Sequence, residues 1–247
     1  MINKVFETAA RALADVQDGA TIMIGGFGNA GMPAELIDAL IEQGARGLTI
    51  VNNNAGNGET GLAALLKAGR VAKIICSFPR QADSHVFDAL YRAGEIALEL
   101  VPQGNLAERI RAAGAGIGGF FTPTGFGTLL AEGKEVREID GRHYVLERPL
   151  HADFALIKAE RADRWGNLVY RKTARNFGPI MATAAKIAVV QVAEVVELGM
   201  LDPETVVTPG IFVQRVVQLR PADPRPTGRA ETAVAETTVA ETRRCSV

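Results

Sequence analysis

The chain predicts an α/β fold: an open, mainly parallel sheet with helices on both faces. Two observations carry this. Short, largely apolar runs recur at 21–24, 48–51 and 71–76, and segments with helical spacing of apolar residues separate them. Continuous apolar runs suit strands buried on both faces, and parallel strands need the crossovers that intervening helices supply.

Each element has its own local reason. Val5, Ala9, Ala12, Leu13 and Val16 share a helical spacing, which predicts a helix over 3–15. Asp18-Gly19 marks a turn before the first buried strand. Pro33 suits the first residue of a helix through Leu36, Ile37 and Leu40, with Gly44 near its end. Strand 48–51 enters a polar, Gly-rich stretch at 52–61, followed by a helix through Leu62, Leu65 and Leu66. Strand 71–76, a helix at about 83–93, strand 96–101 and a helix at about 105–112 come next. The region 114–150 is rich in Gly, Phe, Thr and Pro and predicts an insertion of loops and short antiparallel strands, with a hairpin turn in Ile139-Asp140-Gly141-Arg142. Buried-strand character returns at 153–158 and 186–192. One domain is expected over 1–220. Residues 221–247 carry Ala-Glu-Thr three times, from Ala230, Ala235 and Ala240, and read as a disordered low-complexity tail.

Composition excludes several classes. In 247 residues, 27 basic and 28 acidic side chains leave a net charge of −1, too little positive charge for a broad nucleic-acid footprint. No window approaches the ~18 apolar residues of a membrane-spanning helix. Lys4, Glu7, Arg11 and Asp15 interrupt the N-terminal segment, so no signal peptide is expected. Cys76 and Cys245 make no disulfide framework, and His85, His143 and His151 lack ligand spacing, so no metal site is expected. The expectation is a soluble, cytoplasmic protein.

Several motifs can carry chemistry. Gly25-Gly26-Phe27-Gly28-Asn29-Ala30-Gly31, read from Gly26, fits G-x-G-x-x-G between a strand and a helix. Such glycines let backbone amides approach a phosphate; the alternative is a tight turn needing positive φ. A dinucleotide site wants an acidic residue about 20 positions further on. Asn52-Asn53-Asn54 stands there, with no carboxylate before Glu59, so a phosphate-bearing ligand fits and a nicotinamide fits poorly. The stretch from Asn52 to Glu59 follows the second strand. Its amides suit a carboxylate or an oxyanion, or else its Asn and Gly residues simply make turns. Gln103 suits a polar group of a substrate, and Asn105 reads as a helix cap with Glu108 as its capping-box partner. The Gly- and Phe-rich loop at 116–128 is expected to lie close against another backbone. Arg164, Arg171, Lys172 and Arg175 either receive an acidic substrate or form a solvated face. Cys76 reads as a buried small residue. From the residues alone, Glu59 is the acid/base candidate.

Taken together, the motifs resemble the A subunit of family I coenzyme A transferases over about residues 1–218. The resemblance rests on Asp18-Gly19, the apolar 22–24, Gly25-Gly26-Phe27, Gly31, Pro33 and Pro102-Gln103-Gly104. It continues through Phe121-Thr122-Pro123-Thr124-Gly125, Gly127-Thr128, Gly166-Asn167-Leu168 and Ala174-Arg175-Asn176-Phe177. Within the family, the stretches Asn53 to Glu59, Cys76 to Arg80 and Leu150 to Ala155 are most similar to the 3-oxoadipate branch of bacterial aromatic catabolism; Asn52 and Gly178 depart from the commoner pattern.

The resemblance implies the coenzyme A transferase fold and a two-subunit transferase moving CoA from succinyl-CoA to 3-oxoadipate. It implies a B-subunit partner in a heterodimer or α2β2 assembly. It also implies that this chain holds no catalytic residue: a B-subunit glutamate carries the CoA as a glutamyl thioester, which displaces Glu59 from the acid/base role. CoA is then a substrate, with no permanently bound cofactor. Gly25, Gly26, Phe27, Gly28, Asn29, Ala30 and Gly31 become the CoA-associated loop, and Asn53, Asn54 and Gln103 the substrate-side amides. Arg80, after a strand end, is the cation nominated for the second carboxylate of 3-oxoadipate. The alternatives are an acetoacetate or other 3-oxoacid acceptor, and a ligand-sensing α/β domain without catalysis. A nicotinamide-dependent oxidoreductase is weakened by the missing acidic residue.

Overall fold

In a computed structural model, which describes residues 1–219, the apolar runs become strands of one parallel sheet. The tail expected at 221–247 lies outside the described residues. The first half of the chain runs β1 (Val5–Phe6), α1 (Ala9–Ala12), β2 (Thr21–Ile24), α2 (Ala34–Gln43), β3 (Leu48–Val51), α3 (Leu62–Lys67), β4 (Val71–Cys76), α4 (His85–Arg92), β5 (Ala97–Leu100) and α5 (Gln103–Gly114). The second half adds β6 (Phe120–Thr122), β7 (Val136–Ile139), β8 (Arg142–Glu147), β9 (Ala152–Asp163), β10 (Leu168–Val169), α6 (Gly178–Ala184), β11 (Ala185–Val196) and β12 (Arg215–Gln218). Strand order is β1-β12-β11-β9-β2-β3-β4-β5, parallel throughout, with β10 folding back antiparallel on β9.

Alternation along the strands sorts the core into two layers. Ile22, Ile24, Leu48, Ile50, Ile74, Phe154 and Leu156 face α1 to α4, whereas Met23, Val51, Ile75, Ala155, Ile157 and Val190 face α5 and α6. Helices therefore cover both faces, as the continuous apolar strands require. Each buried Leu or Ile contributes about 1.5–3 kcal/mol, so Leu36, Ile37 and Leu40 fix α2 firmly over β2 and β3. At its C-terminal end Gly44 takes φ 95° and closes the helix. The insertion at 114–150 is a three-stranded antiparallel sheet, β6-β8-β7, turned at Asp140 (φ 51°) and Gly141 (φ 74°).

Two expectations fail locally. Residues 3–15 are not one helix. Val5 and Phe6 pair with Val216 and Val217 as the outer strand, and the helix is confined to Ala9–Ala12. A pairing across the whole chain outcompetes a short helical pattern, which is marginal by itself. Arg215 secures that corner with a two-pronged bond to Asp15, 2.6 Å at each prong, and a bond to Ala12 O at 2.7 Å.

Asn105 is not a cap. Pro102 stands at the cap position, and Asn105 lies buried inside α5. Its amide donates to Glu147 Oε1 at 3.1 Å and Thr124 O at 3.4 Å. Glu147 is only 3% exposed and needs that donor, together with Lys134 Nζ at 2.8 Å. Glu108 pairs instead with Arg111 on the surface, at 2.9 Å.

Candidate active site

Because β2 to β5 run parallel, the loops after them open at one edge of the sheet. The chain order changes direction at β2, which has β3 on one side and β9 on the other. Ligands of open α/β sheets bind in the crevice beyond such a point.

The Gly25–Gly31 loop follows β2. Gly26, Gly28 and Gly31 all have positive φ, at 126°, 57° and 77°, as a tight turn requires. Four of the seven amides are used within the protein. Gly25 N donates to Leu156 O, Gly26 N to Asn176 Oδ1, and Phe27 and Ala30 exchange both of their backbone bonds. Asn176 fastens the loop from the far side of the chain: besides accepting from Gly26 at 3.2 Å, its Nδ2 donates to Ala30 O at 2.9 Å. A side chain at Gly31 would place its Cβ 2.5 Å from Ala174 O. Only the tip, Gly28 and Asn29, lines the cavity described below.

The three asparagines after β3 are all buried and do different things. Asn52 is structural: its Nδ2 donates to Ile24 O at 2.6 Å and its Oδ1 accepts from Asn54 N at 2.9 Å. Asn53 turns toward β4 and β5. Its Oδ1 accepts from Ser77 Oγ and from Gln103 Nε2, each at 2.8 Å. Three strand ends thus converge on one carboxamide, and the convergence brings Asn53 and Gln103 together. Gln103 is exposed, and Asn53 engages one of its two N–H donors, leaving the amide aimed but not consumed.

Asn54 turns the other way and does not join that cluster. It lines a cavity of about 410 Å³ between the glycine loop, α2 and the start of α3. Its Oδ1 accepts from Gly56 N at 2.9 Å, while its Nδ2 is buried with no partner among the described residues. Lys158 of β9 lines the same cavity. Sequence reasoning misses Lys158; the available signal is a lysine interrupting the apolar run of β9. Two carboxylates also face this space. Burial, reinforced by Glu42, pushes the Asp38 carboxyl up, and hydrogen bonding to Lys67, 3.2 Å away, holds exposed Glu59 down. Glu59 is thus tied to Lys67 and stands apart from Gln103.

Other nominated residues lie elsewhere. Arg80 is paired with Asp88 at 2.6 Å. Lys172 and Arg175 line a separate open hollow of about 630 Å³ with Phe27, while Arg164 bonds Ile2 O. Cys76 is buried, and desolvation pushes its thiol up to about 12, which suits a core residue. A further cavity of about 660 Å³ lies between β5 and the antiparallel sheet. Two of its acids are already matched, Glu99 by Lys73 and Arg109 and Glu147 by Lys134. Among the described residues, no cluster of His, Cys, Asp and Glu is placed to hold a metal, and no helix is long and apolar enough to cross a membrane.

Amide side chains thus gather at the carboxyl edge of a parallel sheet. Residues 6–219 match the coenzyme A transferase family model, and the chain belongs to that family of transferases. Among relatives, it is 75% identical to the A subunit of 3-oxoadipate CoA-transferase from Pseudomonas putida, over 88% of this chain and 94% of that one. It is 69% identical to the corresponding chain of the same name from Acinetobacter baylyi, over 92% of this chain and 100% of that one. The fold is also that of an acyl-CoA transferase from Escherichia coli O157:H7, with a TM-score of 0.79 at 24% identity. That match covers 88% of this chain, which spans about half of the other, 47%.

Proposed function

We propose that this chain is the A half of a two-subunit, cytoplasmic enzyme that moves CoA from succinyl-CoA to 3-oxoadipate. The observation that carries the mechanism is the Gln103–Asn53–Ser77 cluster: preorganised amide and hydroxyl groups at the sheet edge, with no carboxylate among them. A set of donors without a nucleophile suits half of an active site. The partner B subunit supplies a glutamate carboxylate, which attacks the thioester carbonyl and expels CoA thiolate, leaving a mixed anhydride. The thiolate attacks the glutamyl carbonyl, releasing succinate and forming the glutamyl-CoA thioester. The incoming acid's carboxylate attacks that thioester. The thiolate released then takes the new acyl group, and the glutamate is restored.

In each addition a carbonyl oxygen gains negative charge. The second N–H of Gln103, held in place by Asn53, donates to that oxygen, an effect worth about 2.7–4 kcal/mol in comparable sites. The tip of the Gly25–Gly31 loop, with Phe27 and the hollow beside it, forms the CoA-associated wall. The two 3-oxoadipate relatives support the acceptor.

The test is CoA transfer from succinyl-CoA, with this chain alone and with its B partner, using 3-oxoadipate and acetoacetate side by side. Activity is expected only with the partner and with a preference for 3-oxoadipate. Activity of the chain alone would overturn the split-site reading, and equal use of both acids would overturn the acceptor.

A further inference from the structure

We propose that Lys158 and Asn54 form an anion subsite that holds the free carboxylate of a dicarboxylic acyl group. The inference rests on the reading above and deepens it, since both succinyl-CoA and 3-oxoadipate carry a carboxylate remote from the reacting carbonyl.

The first support is placement. On β9, Phe154 and Leu156 face the core layer beneath α2, and Lys158 is the next residue on that face. Leu156 pairs with Ile24, the last residue of β2, so Lys158 lies beyond the end of β2. Lys158 therefore lines the cavity near the point where the strand order reverses. Its aliphatic stem continues the apolar stripe, which is how a half-buried lysine is accommodated.

The second support is unmet hydrogen bonding. Among the described residues, Lys158 has no carboxylate within ion-pair distance. Asn54 is 1% exposed, and its orientation is set: Oδ1 accepts from the Gly56 N–H, so a flipped amide would bring two donors face to face. Its Nδ2 is thereby left buried and unpartnered, and Asn54 is one of the residues that line the cavity. Buried polar atoms are almost always satisfied, so the orphaned Asn54 donor calls for an acceptor. Lys158 Nζ and Asn54 Nδ2 are both donors only, so the completing group brings acceptors and negative charge. Of the two acids facing the cavity, Glu59 is paired with Lys67 at 3.2 Å. Burial, and then the Glu42 charge, raises the Asp38 carboxyl above its ordinary value.

A carboxylate and a phosphate of CoA present the same anionic oxygens, and the experiment separates them. In the A–B complex, Lys158→Met is compared with wild type using succinyl-CoA and acetoacetyl-CoA as donors, and 3-oxoadipate and acetoacetate as acceptors. The expected result is that KM for the dicarboxylic substrates rises about 10- to 100-fold relative to the monocarboxylic ones. Lys158→Arg should recover much of that selectivity. A rise confined to the two CoA esters, with the free acids unaffected, would assign the anion to CoA and overturn the carboxylate. An equal change for all four substrates, or none, would overturn the subsite.

A binding measurement does not depend on turnover. In the full chain, succinate is expected to shift the Asn54 side-chain amide resonances in wild type and not in Lys158→Met. Absence of that shift in wild type would overturn the proposal. Failure of the wild-type complex to use 3-oxoadipate would instead strike the acceptor assignment, leaving this titration to decide the subsite.

Discussion

Asn53 and Asn54 are adjacent in the chain and almost equally buried, at 2% and 1% exposure, yet their side chains have different surroundings. The Asn53 carboxamide oxygen is occupied, binding Ser77 and Gln103 and so fixing the Gln103 amide at the sheet edge. Asn54 keeps a buried, unpartnered donor and lines a cavity together with Lys158. The difference separates two tasks. Stabilising a transient charge needs donors already locked in place, since any reorganisation is lost from the rate. Holding a substrate group needs donors whose partner arrives with the ligand.

The comparison can be broken in order of expected effect. Gln103→Ala in the A–B complex should lower kcat about 10²- to 10³-fold with little change in KM, as expected for a donor acting mainly in the transition state. A loss confined to KM would move Gln103 to a binding role. Gly31→Ala should destabilise the chain by about 3 kcal/mol in urea denaturation, because its Cβ meets the Ala174 carbonyl at positive φ. Gly28→Ala, also at positive φ but with nothing within 4 Å, should cost only about 1 kcal/mol. Equal costs would show that the loop is not clamped by the segment around Asn176.

Asn53→Ala acts through Gln103 and should cost about tenfold in kcat. Added to Gln103→Ala it should cost nothing more, and additive losses would refute the positioning role. The smallest effect lies far from both asparagines. Hydrogen bonding from Arg215 holds the Asp15 carboxyl below its usual range. A lowered folded-state pKa contributes stability above the unfolded value, and that contribution is lost as pH falls through the folded one. Asp15 is half-exposed, so Asp15→Asn should cost under about 1 kcal/mol at pH 7. Thermal melts of the two proteins should converge below about pH 4. A gap that persisted in acid would mean the pair is not the cause.

What is legible in the sequence depends on which interactions are local. Strands 48–51 and 71–76 are readable because their buried positions demand largely apolar runs. The turn at Asp140-Gly141 is readable because its backbone conformation selects those residue types. Val5 and Phe6 mislead because only a partner more than 200 residues away makes them a strand. Asn105 resembles a cap because its real partner, Glu147, lies in a different sheet. At the candidate site, the family resemblance, not residue pattern alone, names Asn53, Asn54 and Gln103 together. That Asn54 has other surroundings depends on which way a carboxamide rotates after β3, and periodicity carries no such information.

The fastening of the glycine loop by Asn176 has a consequence for how the protein is made. Gly26 precedes its partner by 150 residues. At synthesis rates of roughly 5–20 residues per second, the loop emerges roughly 7–30 s before the side chain that secures it. Strands β2 to β5 can assemble in that interval, but a chain interrupted before Asn176 would carry the sheet edge without the fastener that shapes its loop. Completion of the second half thus acts as a checkpoint, and half-made chains carry the glycine loop unfastened.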